Sequence, residues 1–332
     1  MRENKFIRDF CTTNTDSILE HGQPWSRFIL LPDDHPLRDR TKHALLSHPN
    51  ILKITEKLNQ LVIDPESPKQ NPSNFRVYGS FYWLLRFLAE IGITAEDHGI
   101  TSFIEQVKLS QLEDGQFMIR YHQNKQQAIA FVCITAHLTY CLIRLGYKST
   151  RAVSAALNYL VTTQRFDGGW HCDQMKQNGE RDQFMPSCPS ATIHSILALS
   201  QVGEKYNSLL NKAIDYFLAV REYESVPFCQ HDSENQVNLN KLRYPPHYTG
   251  LDILNVIYTL SFVPDHHEKS KIGDLIDHIV SQWDGSHWLG STKKIPEWKN
   301  FDFGFKNKGS DWMSSLFLTS LERIKSHSKQ YG

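Results

Sequence analysis

The sequence predicts an all-α protein assembled from repeated helical hairpins. Three observations carry that reading. Apolar residues recur at helical spacing through most of the 332 residues. A short Gln–Asp–Gly–aromatic turn comes back three times in phase. Strand-like alternation of apolar and polar residues is scarce.

The turn is read first. "SQLEDGQF" begins at Ser110, "TQRFDGGW" at Thr163 and "SQWDGSHW" at Ser281. Gln111 and Gln164 lie 53 residues apart, and Gln164 and Gln282 lie 118 apart, twice 59. A fourth copy belongs near residue 223, where "YFLAVREYES" (Tyr216 to Ser225) ends a helix-like run without Asp-Gly and reads as degenerate. A second marker keeps the same phase. "LLRFLAEIG" ends at Gly92, "YCLIRLG" at Gly146 and "ILALSQVG" at Gly203, in steps of 54 and 57 residues; the fourth equivalent, "VIYTLSFVPD", reaches its end near Val263. A fixed period of this size marks repeated supersecondary units.

Each unit reads as two helices. Phe81, Leu84, Leu85 and Leu88 fall at i, i+3, i+4 and i+7, as do Leu138, Cys141, Leu142 and Leu145. The partner helices carry Val153, Ala156, Leu157 and Leu160, and Ile272, Leu275, Ile276 and Ile279. The first helix of each pair is apolar nearly all round and must be buried on all sides; the second keeps a charged face. Gly92, Gly146 and Gly203 suit helix C-caps. In the turn, the Gln amide can bond a neighbouring helix end while the aromatic packs beside it. Inner and outer helices alternating in this way form either an open superhelix or a closed ring.

Composition narrows the function classes. Lys plus Arg and Asp plus Glu are 36 each, so the formal charge is zero. This argues against a protein that grips nucleic acid along a basic face. No run of about 18 apolar residues marks a transmembrane helix. The N-terminal "MRENKFIRDFCTTNTDSILEHG" has no apolar core of signal-peptide length. The expectation is a cytoplasmic protein whose six scattered cysteines are free thiols.

The Gln-(x)2–Asp-Gly-(x)–Trp turns resemble the QW repeats of squalene–hopene cyclases and the repeats of protein prenyltransferase β subunits. The resemblance runs from about Asn74 to Lys325. It is closest to a bacterial group labelled prenyltransferase-like or squalene-cyclase-like, of unsettled function. The segments beginning at Phe28, Pro186, Arg243 and Lys308 carry that likeness. It implies an α/α toroid over residues 71–328, with an N-terminal helical segment, 1–70, packed on it. It also implies an isoprenoid or terpenoid substrate, handled by a cyclase or prenyltransferase-like enzyme in a central cavity. Two departures stand out. The Asp-x-Asp-Asp acid motif of the cyclases is missing, and so is the Asp-x-Cys zinc motif of the prenyltransferases.

In a toroid the starts of the inner helices face one mouth of the cavity. Tyr78, Tyr82, Trp83, Tyr244, Tyr248 and Trp312 fall in those segments and are the candidate substrate-binding residues. Aromatic faces stabilise the cations that isoprenoid chemistry creates; plain packing is the alternative reading. Cys172 and Cys188 meet at the expected mouth, and Cys188 opens a helix, where thiolates are favoured. With His247 they form a candidate zinc set; His171, Asp173 and Asp252 are further possible ligands, and His194 sits a turn too deep in its helix. Two buried thiols, or a redox pair, are the competing readings. Asp252, near the start of an apolar helix, is a candidate general acid, Cys188 a second catalytic candidate; Asp252 could equally cap or salt-bridge. A non-catalytic toroid that holds a lipid or a protein is the alternative to an enzyme. A sugar hydrolase or lyase ranks last, for want of paired carboxylates.

Overall fold

A computed structural model describes residues 5–63, 80–122, 127–171, 186–221, 226–227, 236–237, 241–244, 251–263, 269–292, 295–304 and 309–329. The class is all-α, as the helical periodicity requires. Thirteen helices are described, with three short two-stranded pairings between them. Contacts divide the chain into two compact units, one of residues 1–52 with 238–332 and one of residues 53–237. The first unit groups the N-terminal helices with the C-terminal ones. Among the described residues no helix is long and apolar enough to cross a membrane.

The 53–237 unit holds the repeat in its clearest form. Its inner helices are α5 (Phe81–Ile91), α7 (Val132–Leu142) and α9 (Pro189–Ser200); its outer helices are α6 (Thr101–Leu109), α8 (Arg151–Thr162) and α10 (Asn207–Arg221). All eleven residues of α5 are buried, and so are all of α7 and α9 except Cys133 and Ser200. A helix apolar all round is the sequence pattern of such burial. On α8, Val153, Ala156 and Leu160 face inward while Arg151, Ser154 and Asn158 stay exposed. Gly92, Gly146 and Gly203 take φ of 83°, 100° and 83°. Gly92 is the left-handed cap of α5; Gly146 lies inside a π-turn (Ile143–Tyr147) that continues α7.

The turns are nearly superimposable in their bonding. Gln111 Nε2 donates to the Gly115 carbonyl at 3.0 Å and to the Ala152 carbonyl, in the first turn of α8, at 2.8 Å. One repeat later Gln164 Nε2 donates to the Gly168 carbonyl at 2.7 Å and to the Leu209 carbonyl, at the start of α10, at 2.9 Å. The aromatic is held from the other side. The Phe117 and Trp170 amides donate to Thr135 Oγ1 on α7 and Thr192 Oγ1 on α9, each at 3.1 Å. Each of these two turns therefore ties one hairpin to both helices of the next. Asp114 and Asp167 brace the loop from within, accepting from the Gln116 and Gly169 amides at 3.0 and 3.2 Å. Gly115 and Gly168 are obligatory: φ is +96° and +91°, and an added Cβ would sit 2.4 Å from the Ala155 and Lys212 carbonyls of the next outer helix.

The other unit contains α1 (Lys5–His21), α2 (Pro24–Leu30), α3 (Arg38–Leu46), α11 (Ile253–Leu260), α12 (Lys269–Val280) and α13 (Asp311–Lys329); the division between the units falls within α4 (Pro49–Asn59). Its Gln turn is a variant. Gln282 Oε1 accepts from the Leu242 amide at 3.1 Å, and Trp288 Nε1 donates to Ser314 Oγ on α13 at 3.1 Å. Phe10 of α1 lies edge-on to Trp283, Trp288 and Phe317, with ring centroids 5.3 to 5.7 Å apart. Asp302 joins α2 to the start of α13: its carboxylate accepts from Trp25 Nε1 at 3.0 Å and the Trp312 amide at 2.8 Å. Burial outweighs these bonds and pushes its carboxyl up to about 6. The degenerate fourth turn expected after α10 lies outside the described residues beyond Arg221.

Replacing Gln164 by Ala removes two bonds to half-buried carbonyls and should lower stability by about 1–3 kcal/mol in urea unfolding. Gly168→Ala, which meets both a positive φ and a carbonyl, should cost more. If Gly168→Ala unfolds at the wild-type denaturant concentration, the turn does not pin the hairpins.

Candidate functional site

The repeat register assembles a buried cluster inside the 53–237 unit. Trp83, His137 and His194 each lie nine residues before the glycine that marks the end of their segment, Gly92, Gly146 and Gly203. They occupy the same position on three successive inner helices, and their rings meet. Trp83 and His137 are 5.0 Å apart at 79°, His137 and His194 5.4 Å apart, and Trp83 and His194 6.2 Å apart. The position three residues further along repeats the effect: the Arg86 guanidinium lies over the Tyr140 ring at 5.4 Å. Arg86 Nε donates to Glu90 Oε1 one turn away at 2.7 Å, with side chains 1% and 0% exposed.

The electrostatics of this layer are unusual for a helical core. His137 donates through Nε2 to the Tyr82 carbonyl at 2.8 Å. His194 donates through Nδ1 to the Ser190 carbonyl at 2.7 Å. Burial, then His194 and Arg86, hold the His137 imidazole well below its ordinary range, against the opposing Tyr82 carbonyl. Burial and then Arg86 push His194 down to about 3. Both rings are therefore neutral at pH 7. Burial also raises the neighbouring Cys141 thiol, so it stays protonated. The layer combines two uncharged imidazoles, an indole, a phenol ring and an internally neutralised ion pair. Such a set can hold a polarised or cationic group without adding net charge, and a neutral imidazole can take a proton from a strong acid.

The residues singled out in the sequence are placed as follows. Tyr82 and Trp83 lie on α5, with no exposed surface. Trp312 is equally buried in the other unit, where its ring lies 6.2 Å from Phe303. Tyr244 is in a two-residue strand, β5 (Arg243–Tyr244), paired with β6 (Ser291–Thr292). Asp252 is fully buried as the N-cap of α11, its Oδ1 accepting from the Asn255 amide at 2.8 Å. Capping is among the roles that its place in the sequence suggests. Cys188 is buried as the N-cap of α9, and its amide donates to the Trp170 carbonyl at 2.7 Å. Beside it Asp167 accepts from the Ser187 hydroxyl at 2.6 Å, and the Tyr216 hydroxyl donates to the Ser187 carbonyl. Tyr78, Cys172, His247 and Tyr248 lie outside the described residues.

Arg86, Glu90, His137 and Asp302 were not among the sequence candidates. A signal for three of them is present. Arg86 and Glu90 are an i, i+4 charge pair inside an otherwise apolar run, and "Thr-x-His" recurs at Thr135–His137 and Thr192–His194. Among the described residues no group of three or more His, Cys, Asp or Glu side chains is arranged to hold a metal ion.

Folding should be acid-sensitive through this layer. Above about 6.5, the ordinary histidine value, neither state binds a proton on these rings and the stability is fully present. Below it the unfolded chain takes up protons that the folded one refuses. Stability then falls by about 1.4 kcal/mol per pH unit for each buried histidine. His194→Gln should flatten the loss between pH 6.5 and about 4, measured by urea unfolding. Parallel losses in variant and wild type would contradict a buried, neutral His194.

Comparison with known families bears on the same span. Residues 78–227 match the family described as the squalene–hopene cyclase C-terminal domain. That stretch runs from just before α5 to just after α10 and contains both complete Gln turns and the whole Trp83–His137–His194 layer. Over it the chain is squalene-cyclase-like, in agreement with the α/α toroid class that the resemblance of the Gln turns implies. No curated protein matches the chain.

Proposed function

We propose that this squalene-cyclase-like chain binds an isoprenoid-like hydrocarbon against its inner helices and acts on it as a terpenoid-processing enzyme. The observation that carries the reading is the Trp83–His137–His194 layer beside Arg86–Glu90, lodged in the span that matches the cyclase domain. In this reading Tyr82 and Trp83 face the hydrocarbon, and the indole stabilises positive charge that develops on it. His137 or His194 accepts the proton that a carbocation releases, a transfer so downhill that a base titrating near 3 suffices. Tyr78, Tyr244, Tyr248 and Trp312 are further proposed contacts, and Asp252 and Cys188 remain proposed catalytic groups. As the acid, Asp252 would have to give up its bond to the Asn255 amide.

A second reading has an observation in its favour. Every residue of α5 is buried, so a ligand reaches the layer only where side chains give way. A filled interior suits a non-catalytic toroid that holds a lipid or a protein on another surface. Farnesyl diphosphate, geranylgeranyl diphosphate and squalene, added singly, decide between the two. The enzyme reading expects saturable quenching of tryptophan fluorescence, new hydrocarbon or alcohol products by gas chromatography–mass spectrometry, and roughly tenfold weaker binding, about 1.4 kcal/mol, in Trp83→Phe. Neither binding nor products with any of the three leaves the scaffold reading.

Zinc at Cys172, Cys188 and His247 is a proposal that rests on the sequence. Of the three, only Cys188 lies in the described residues, and it is buried at a helix start with its backbone already engaged. If the metal is resident, protein purified without chelator should carry about one zinc per chain, lost in the Cys172→Ser, Cys188→Ser variant. Metal-free wild type would remove it.

A further inference from the structure

A concavity lies on the outer surface of the 53–237 unit, away from the inner-helix layer and independent of its proposed role. It encloses about 520 Å³, within the range of small-molecule sites. One wall is a face of α8 on which Ser154, Leu157, Asn158 and Val161 follow at i, i+3, i+4 and i+7. The opposite wall is the connector after α9, with Val202, Lys205 and Tyr206. Lys148, Ser149 and Thr150 close the end at which α8 begins.

Cations and apolar side chains both line the space. Lys148 and Lys205 are both cations, and no carboxylate lines the space; Glu204, the neighbour of Lys205 in sequence, is not part of it. Lys148 Nζ donates to the Gln201 carbonyl at 3.2 Å, which holds its ammonium across to the connector. Lys205 Nζ lies over the Tyr206 ring at 5.0 Å, which keeps its stem against the wall. Ser149 and Ser154 add hydroxyls to the lining. The twelve-residue helix α8 points its positive end at the same place, with Thr150 as its cap. The rest of the lining is Leu157, Val161, Val202 and the Tyr206 ring, which are apolar, and the Asn158 amide. In a chain with no net charge, such a concentration of positive potential over an apolar floor is a local feature, not a consequence of overall basicity.

We infer that this groove binds a soluble phosphate-headed amphiphile, its head between Lys148 and Lys205 and its apolar tail along Leu157 and Val161. Two ammonium groups suit a phosphomonoester better than a carboxylate, because the head can carry close to two negative charges and lysines bind it as point charges. The volume is that of a small-molecule site.

Isothermal titration with monomeric decyl phosphate tests the site. Saturable binding is expected, weakened by salt and at least tenfold weaker in the Lys148→Gln, Lys205→Gln double variant. Both lysines are exposed, so the variant should melt at the wild-type temperature, and its loss of binding is then not a loss of fold. Decanol and inorganic phosphate should each bind at least tenfold more weakly than decyl phosphate. No binding of decyl phosphate, or equal binding by the double variant, overturns the site. Equal binding of inorganic phosphate removes the tail contacts, and equal binding of decanol removes the role of the lysines; either overturns the amphiphile. Retention on phosphatidic acid vesicles without binding of monomeric decyl phosphate assigns a membrane surface and overturns the soluble ligand.

Discussion

The amide of one glutamine per repeat sets the geometry on which the 53–237 unit depends. Gln111 and Gln164 each bridge their own turn and the first turn of the next outer helix. The amide three residues past the Asp fixes the next inner helix through a threonine. With both helices of the following hairpin held from one short loop, successive hairpins cannot slide past each other. The same register is therefore repeated, and residues at the same position on α5, α7 and α9 come to lie side by side. The Trp83–His137–His194 layer and the Arg86–Tyr140 contact are consequences of that register, not separate devices.

What the register brings together is costly to bury. A fully enclosed ion pair returns less than a well-packed apolar pair of the same size would, and breaking it from one side is worse. The i, i+4 placement of Arg86 and Glu90 on one helix limits that cost, because the pair is already formed when the helix is. The histidines avoid the cost of charge by staying neutral, each spending one N–H on a backbone carbonyl. An apolar residue at each place would pack without any of these arrangements. Their presence in the span that matches the squalene–hopene cyclase C-terminal domain is the physical basis of the function proposed for them.

Much of the fold was legible in the sequence because it is local and periodic. The inner helices show as runs apolar on every side, the glycines as segment ends, and the turn as a fixed phrase whose glutamine reaches a helix end. The site was less legible, for specific reasons. His194 looks too deep in its helix when judged against the helix start. Judged against Gly203 it is the counterpart of His137 and Trp83, and only a comparison of repeats reveals this. Asp302 is invisible to any local reading, since it meets Trp25 across 277 residues of sequence. The readings of Asp252 differ only in what its carboxylate touches, and the sequence does not contain that contact. Tyr82 and Trp83 are aromatic whether they line a space or fill one, so composition alone could not foresee that they are fully enclosed.

The central claim is that the repeat register creates a buried, neutral two-histidine layer. Side-chain ¹⁵N chemical shifts of His137 and His194, followed from pH 8 to about 4, test it most directly. The account expects two fixed tautomers, Nε2–H for His137 and Nδ1–H for His194, with neither ring titrating until the protein unfolds. Rings that titrate near the ordinary value of 6.5 in the folded protein, or that average over both tautomers, would show the layer open to solvent and contradict it.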